Sequence, residues 1–161
     1  MQLTTKGRYA VTAMLDLASN ESTKPVTLDM ISQRQNISLS YLEQLFSKLM
    51  KASLFKSVRG PGGGYLLNIR AEDVNLTQII EAVDENIDLR RCQGLRNCLR
   101  GKQCLSHHLW CEVSDQIRGF LSTRNLQQVI DDYNANEKVS NKNSEKSNTA
   151  RDTVREALTI N

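Results

Sequence analysis

Cys92, Cys98, Cys104 and His107 fall within sixteen residues of one another, spaced C-x5-C-x5-C-x2-H. Thiolate sulfur and imidazole nitrogen are soft or borderline donors, and a flexible loop can fold several of them around one inorganic centre. The intervening sequence is rich in Gly, Asn and Arg, as such a loop requires. Three thiolates and one imidazole suit either a tetrahedral zinc ion or a [2Fe–2S] cluster. Structural zinc usually takes shorter C-x2-4-C knuckles. The five-residue gaps leave room for a two-iron rhomb and favour iron–sulfur over zinc.

The segment 90–102 carries Arg90, Arg91, Arg96, Arg100 and Lys102 with no acid among them. Positive charge of this kind is expected to lower thiol pKa and to stabilise an anionic thiolate centre. Two further residues enter the donor set as alternatives. On a helix starting near Cys104, His107, His108 and Cys111 share about one face, so Cys111 could replace the histidine. Otherwise Cys111 reads as a small buried hydrophobe and His108 as a solvated or hydrogen-bonding side chain. Both imidazoles are stereochemically possible ligands.

The elements that must hold this loop are mainly helical. Lys6 to Asn20 reads as a helix on Tyr9, Ala13, Met14 and Leu17, with Val11, Leu15 and Ala18 making the opposite side apolar as well. A helix apolar on most sides is expected to be buried between partners. Thr27 is placed to cap a short helix, Leu28 to Arg34, and Gln35-Asn36-Ile37 forms a turn. Ser38 can cap a second helix running to Lys51, with Leu42, Leu45, Phe46 and Leu49 inward. Short strands at 54–58 and 65–67 flank Arg59-Gly60-Pro61-Gly62-Gly63-Gly64 and predict a hairpin. Asn75 caps a helix to about Asp84, with Ile79, Ile80 and Val83 inward. A long helix runs from about Leu105 to Ser122, with Leu109, Val113, Ile117 and Phe120 along one side and Trp110 and Leu121 flanking them. Beyond a short helix at Leu126 to Ile130 the composition turns to Asn, Ser, Lys and Glu, and 132–161 is expected to be a disordered tail.

Short helix, turn, second helix with a polar outer face, then a hairpin is a winged helix-turn-helix. The expected fold class is mainly α with a small β-hairpin wing, completed by a long dimerisation helix. Its layout is a DNA-binding domain at 1–88, a cluster-binding loop at 89–104, the dimerisation helix and short terminal helix at 105–131, and the tail. Ser38, Ser40, Tyr41, Gln44 and Lys48 lie early on, or along, the outer face of the second helix and suit the major groove. Gln44 can pair bidentately with adenine. Glu43 would be repelled by phosphate unless it accepts from a cytosine amine, so it reads as a device that penalises wrong sequences. Arg59 at the wing tip is shaped for a narrow minor groove, and Gly60 and its neighbours let the backbone approach the duplex. Charge agrees with a nucleic-acid partner. Of a net +3, residues 1–70 contribute +5 and residues 71–161 contribute −2.

Leu3-Thr4-Thr5-Lys6-Gly7-Arg8-Tyr9-Ala10-Val11, residues 37–46, Val58 to Leu67 and Ala82-Val83-Asp84-Glu85 together resemble the Rrf-type winged-helix transcription factors. The cysteine spacing with its histidine resembles the iron–sulfur cluster regulators among them. The resemblance covers the chain to about residue 130. It implies a homodimer joined through the long helix, with one [2Fe–2S] cluster per subunit held by Cys92, Cys98, Cys104 and His107. It implies DNA contacts from the helix bearing Ser40, Glu43 and Gln44, and from Arg59. It also implies a regulator that senses cluster supply, represses cluster-assembly genes and controls others. Cys111 departs from the pattern.

Partners are therefore expected to be double-stranded promoter DNA, a second copy, and the iron–sulfur cluster assembly machinery as cluster donor. Thr12 and Asp16 interrupt the first apolar stretch, which fits neither a secretory signal nor a membrane span, so the expected location is cytoplasmic. Clustered thiols in a reducing cytosol point to metal rather than disulfides. Two rivals keep the DNA domain: a structural zinc in the loop, or a nitric-oxide-sensitive cluster, which the histidine argues against. Enzyme function is not expected. There is no C-x-x-C and no βαβ pattern, and the Gly60–Gly64 run lacks the Lys-Ser/Thr of a nucleotide loop.

Overall fold

The structure, a computed structural model, describes residues 5–20, 24–90, 92 and 94–138. Its elements are α1 (Thr5–Asn20), α2 (Leu28–Gln35), α3 (Leu39–Lys51), β1 (Phe55–Val58), β2 (Gly64–Leu67), a 3-10 turn at Ala71–Asp73, α4 (Leu76–Ala82) and α5 (His107–Thr123). Residues 126–138 are also helical, which carries helix past position 132, where the tail was expected to begin. The remainder of that tail, 139–161, lies outside the described residues, as do Arg91 and the first four positions.

The described residues up to 128 form one compact unit, and 129–138 belong to a second. The core of the first is apolar and drawn from α1 to α4: Ala10, Ala13, Met14 and Leu17 of α1, Ile31 of α2, Leu42, Leu45, Phe46 and Leu49 of α3, Ile79 and Ile80 of α4. On α1 the buried stripe is 10, 13, 14, 17, the i, i+3, i+4, i+7 set of one helical face. Tyr9 is exposed and meets Tyr41 edge-on at 5.9 Å, while Val11, Leu15 and Ala18 are half-exposed. The expectation of burial on most sides is thus corrected: within one subunit α1 buries a single face.

That face includes a charge. Asp16 is buried, and Arg34 Nε donates to its two carboxylate oxygens at 3.2 and 3.0 Å while Gln35 Nε2 donates at 2.7 Å. A buried carboxylate is tolerated only when paired and fully hydrogen-bonded. Here the pairing locks α1 to the end of α2 and so fixes the first helix of the helix-turn-helix. Thr27 caps α2 by accepting from the Met30 N–H at 3.2 Å, and Asn36 ends it in left-handed backbone. This sharp reversal aims α3.

β1 and β2 pair antiparallel, Phe55 opposite Leu67 and Val58 opposite Gly64. Val26 extends the hairpin through two backbone hydrogen bonds with Tyr65, at 3.0 and 2.8 Å. Phe46, Phe55 and Tyr65 pack with ring centroids 4.7 to 5.2 Å apart, joining the wing to α3. Within the turn, a Cβ on Gly63 would stand 2.3 Å from the Val58 carbonyl oxygen, so only glycine fits there.

α4 opens with a capping box: Asn75 Oδ1 accepts from the Gln78 N–H and Gln78 Oε1 from the Asn75 N–H, both at 2.9 Å. Asn125 and Gln128 repeat the device at 2.8 and 3.1 Å. The two caps lie side by side, because Leu76 N–H donates to the Arg124 carbonyl and Leu126 N–H to the Val74 carbonyl, each at 3.0 Å. The far end of α5 is thereby returned to the start of α4. Among the described residues no helix is long and apolar enough to cross a membrane.

Candidate metal centre and nucleic-acid interface

Entry to the cysteine loop is held by a polar clamp. Asp88 accepts from Arg90 Nε and Nη2 at 2.6 Å each and from the Arg90 backbone N–H at 2.9 Å. Ser114 on α5 accepts from the Leu89 N–H at 3.0 Å and donates to the Trp110 carbonyl at 2.7 Å. Asp88 and Ser114 lie within 3.4 Å of each other, so the segment before Cys92 is fastened to the middle of α5. The Arg90 guanidinium holds the Asp88 carboxyl below the usual carboxylate range. Sequence reasoning missed both Asp88 and Ser114. The available signal was Asp-Leu-Arg immediately before the first cysteine.

Past the clamp, three donors converge. Sγ of Cys92 and Sγ of Cys98 each lie 3.6 Å from Nδ1 of His107, and the three ligand atoms are all within 4.8 Å of one another. Cys92 and His107 are buried and Cys98 half-buried. Two ligands bound tetrahedrally at about 2.3 Å (S) and about 2.0 Å (N) would stand roughly 3.5 Å apart. The observed spacings therefore match donors sharing one metal atom. Cys104 lies at the edge of the set. Its N–H donates to Cys98 Sγ at 3.1 Å and its own sulfur sits 3.8 Å from Ser106 Oγ. All four residues line one cavity of about 560 Å³, walled by Leu89, Leu99, Trp110 and Val113.

The thiols are not electrostatically alike. Burial pushes Cys92 up, but N–H groups of Gly94 and Arg96 and the Cys98 thiol outweigh it, and the net shift is downward. The Cys104 N–H pulls Cys98 down, yet the Cys104 thiol, burial and Cys92 together raise it. Cys104 is lowered by Cys98 and then Ser106. The expected role of loop arginines is corrected in one respect: Arg90 is spent on Asp88, and the groups that favour thiolate at Cys92 are backbone N–H dipoles and the Cys98 thiol.

The alternative donors stand elsewhere. His108 is exposed and its Nε2 meets Gln103 Nε2 at 2.8 Å. α5 begins at His107 rather than near Cys104, so Cys111, one turn on from His107, turns toward Arg90, whose Nη1 is 3.9 Å from its sulfur. Within the single chain Cys111 is half-exposed, and it does not line the cavity.

On α3, Ser40, Glu43, Gln44 and Ser47 are exposed, and Tyr41 and Lys48 half-exposed. Ser38 stands at the N-cap in extended backbone but its hydroxyl makes no capping bond. Arg59 and Gly60 are exposed at the wing tip, with Gly60 accepting from the Gly63 N–H at 2.9 Å. The inward half of α3 supplies the core, so these polar groups occupy the only face of that helix able to meet a duplex.

A family model described as an iron-dependent transcriptional regulator, Rrf2, matches residues 3–132. The chain belongs to the Rrf2 family. Over its full 161 residues it is 47% identical to the HTH-type transcriptional regulator IscR of Photorhabdus laumondii, covering 98% of that protein. Solved Rrf2 relatives agree. The IscR structure from T. potens superposes with a TM-score of 0.68 at 34% identity, covering 83% of this chain and 88% of that one. CymR, the global cysteine regulator of B. subtilis, gives 0.70 at 32%, covering 80% and 95%. This chain is thus a helix-turn-helix transcriptional regulator and not an enzyme. The scaffold is thus shared with a protein named as a cysteine regulator, and does not by itself say what the cavity holds.

Proposed function

We propose that this chain is a cofactor-sensing transcriptional regulator that binds promoter DNA as a homodimer and carries one [2Fe–2S] cluster per subunit. The carrying observation is the meeting of Cys92, Cys98 and His107 donor atoms within 4.8 Å in a cavity that Cys104 also lines. The donor chemistry fits the group: three thiols and an imidazole, in a cavity of about 560 Å³, wider than a lone ion needs. Cys92, Cys98, Cys104 and His107 would hold it. When bound, the cluster supplies a tether that is sensitive to iron supply and to oxidants.

The protein's own part is to make that tether matter. Ligation requires thiolates and a neutral imidazole. The Asp88–Arg90–Ser114 clamp holds the loop entrance on α5, so an ordered loop and α5 move as one body. α5 leaves Leu109 at 55% and Phe120 at 60% exposure, with Val113 and Ile117 half-exposed beside them, a face suited to a second copy of the same helix. A dimer so joined would set the separation of two α3 helices and two wings. Ser38, Ser40, Tyr41, Glu43, Gln44 and Lys48 would meet base edges and phosphates in the major groove, with Arg59 and Gly60 at the minor groove. Loop occupancy alters DNA affinity only if it favours one dimer geometry over another. The regulated genes would include those for cluster assembly, repressed when cluster is plentiful, and assembly proteins would act as donor in the cytoplasm.

A second reading follows from the 3.6 Å sulfur–nitrogen spacings, which also suit a single tetrahedral zinc. Purification with oxygen excluded, followed by iron, acid-labile sulfide and zinc assay, separates the two. Iron and sulfide near two each per subunit are expected; stoichiometric zinc without sulfide would overturn the cluster reading.

A further inference from the structure

Lys48 lies on the face of α3 proposed to meet DNA, yet it is engaged within the protein. Its Nζ donates to Asp84 Oδ2 at 2.6 Å. Asp84 stands two residues beyond the end of α4, in left-handed backbone at φ 56°, and its N–H bonds to the Glu81 carbonyl at 3.0 Å. The side chain before it, Val83, is wholly buried. The turn therefore sets the direction in which the Asp84 side chain leaves the backbone, and the Lys48 bond holds its otherwise exposed carboxylate. Glu85 follows with its N–H on the Ile80 carbonyl at 3.2 Å and its carboxylate 3.9 Å from Lys6 of α1. Two acids at the end of α4 thus lie against lysines from the start of α1 and the end of α3. Lys48, then Lys6 and Lys51, hold the Asp84 carboxyl below its ordinary value.

A carboxylate and a DNA phosphate compete for the same ammonium group. We propose that Asp84 is an affinity-setting residue for DNA: it occupies Lys48, so the reading helix gains that phosphate contact only by breaking the Lys48–Asp84 pair. The inference rests on α3 being the DNA-reading helix. Asp84 itself touches no base, and acts through Lys48.

The test uses the full-length chain and a fluorescent duplex selected by the wild-type protein from a random-sequence pool. Affinity is measured from 50 to 200 mM salt for wild type, Asp84→Asn, Lys48→Gln and the double variant. Asparagine tolerates left-handed backbone and keeps the size of the side chain, so the turn survives. Each phosphate contact contributes about −0.9 to the slope of log K against log salt. Asp84→Asn should bind several-fold tighter at low salt, with a slope steeper by about 0.9 for each protomer on the site. A loss of stability alone would not steepen that slope. In the Lys48→Gln background the Asp84 substitution should change nothing. An unchanged slope in Asp84→Asn, or a steepening that persists without Lys48, would overturn the inference while leaving wild-type DNA binding intact. Failure of the wild type to select any duplex would instead remove the DNA reading and this inference with it.

Discussion

Replacing Asp88 with asparagine tests whether the clamp holds the cofactor loop. The carboxylate accepts three N–H groups from Arg90 at 2.6 to 2.9 Å and faces the Ser114 hydroxyl. Asparagine offers one acceptor oxygen and turns an NH2 toward the guanidinium, so about two charge-assisted bonds are lost. Such bonds are worth about 1.5–3 kcal/mol each when shielded. The Arg90 side chain is 25% exposed, so solvent reduces the pair to about 2 kcal/mol in total. A loss of that size raises the open population of the loop by roughly 30-fold. Anaerobic release of bound metal to an excess of chelator should accelerate by a similar factor, with native DNA-domain circular dichroism retained. The pH dependence has a definite sign. A carboxyl held low in the folded state gives its full stabilisation above the unfolded value of about 3.9, and loses it as pH falls through the folded value. This group should therefore contribute no change in retention between about pH 8 and pH 5, and its contribution should fail only in acid. Release as slow in Asp88→Asn as in wild type would refute the clamp.

Three other substitutions have definite expected outcomes. His107→Ala should abolish metal binding while Cys111→Ala leaves metal content and visible spectrum unchanged, since only His107 has a donor atom among the thiols. Phe46→Ala, which empties the centre of the ring cluster under the wing, should cost about 3–5 kcal/mol in urea unfolding. Gly63→Ala should distort the wing, because the new Cβ would sit 2.3 Å from the Val58 oxygen, and should weaken DNA binding at unchanged metal content.

The helix-turn-helix was legible because its signals are local. Apolar spacing at 42, 45, 46 and 49, the Thr27 cap and the Gly-Pro-Gly turn each specify structure within a few residues, and all three appear where expected. α1 was harder. Its apolar residues exceed what one face can bury, and Asp16 looked like an interruption although it is the buried anchor for Arg34, eighteen residues away. The cysteine loop was legible as a donor set, since ligand types announce themselves. The choice between His107 and His108 was not, because adjacent residues on a helix differ in direction by about 100° and the outcome depended on where α5 starts. The clamp and the Lys48–Asp84 pair join residues far apart in sequence, 26 and 36 positions, and no periodicity encodes a contact of that kind.

What sits among Cys92, Cys98 and His107 is proposed to govern how the molecule engages DNA. One anaerobic preparation, divided in two and stripped of metal in one half, should be titrated onto the same selected duplex at fixed salt. The loaded half should bind at least about tenfold tighter at sites that it represses, and reloading the stripped half should restore that affinity. Identical affinities for the two halves at every selected site would contradict it.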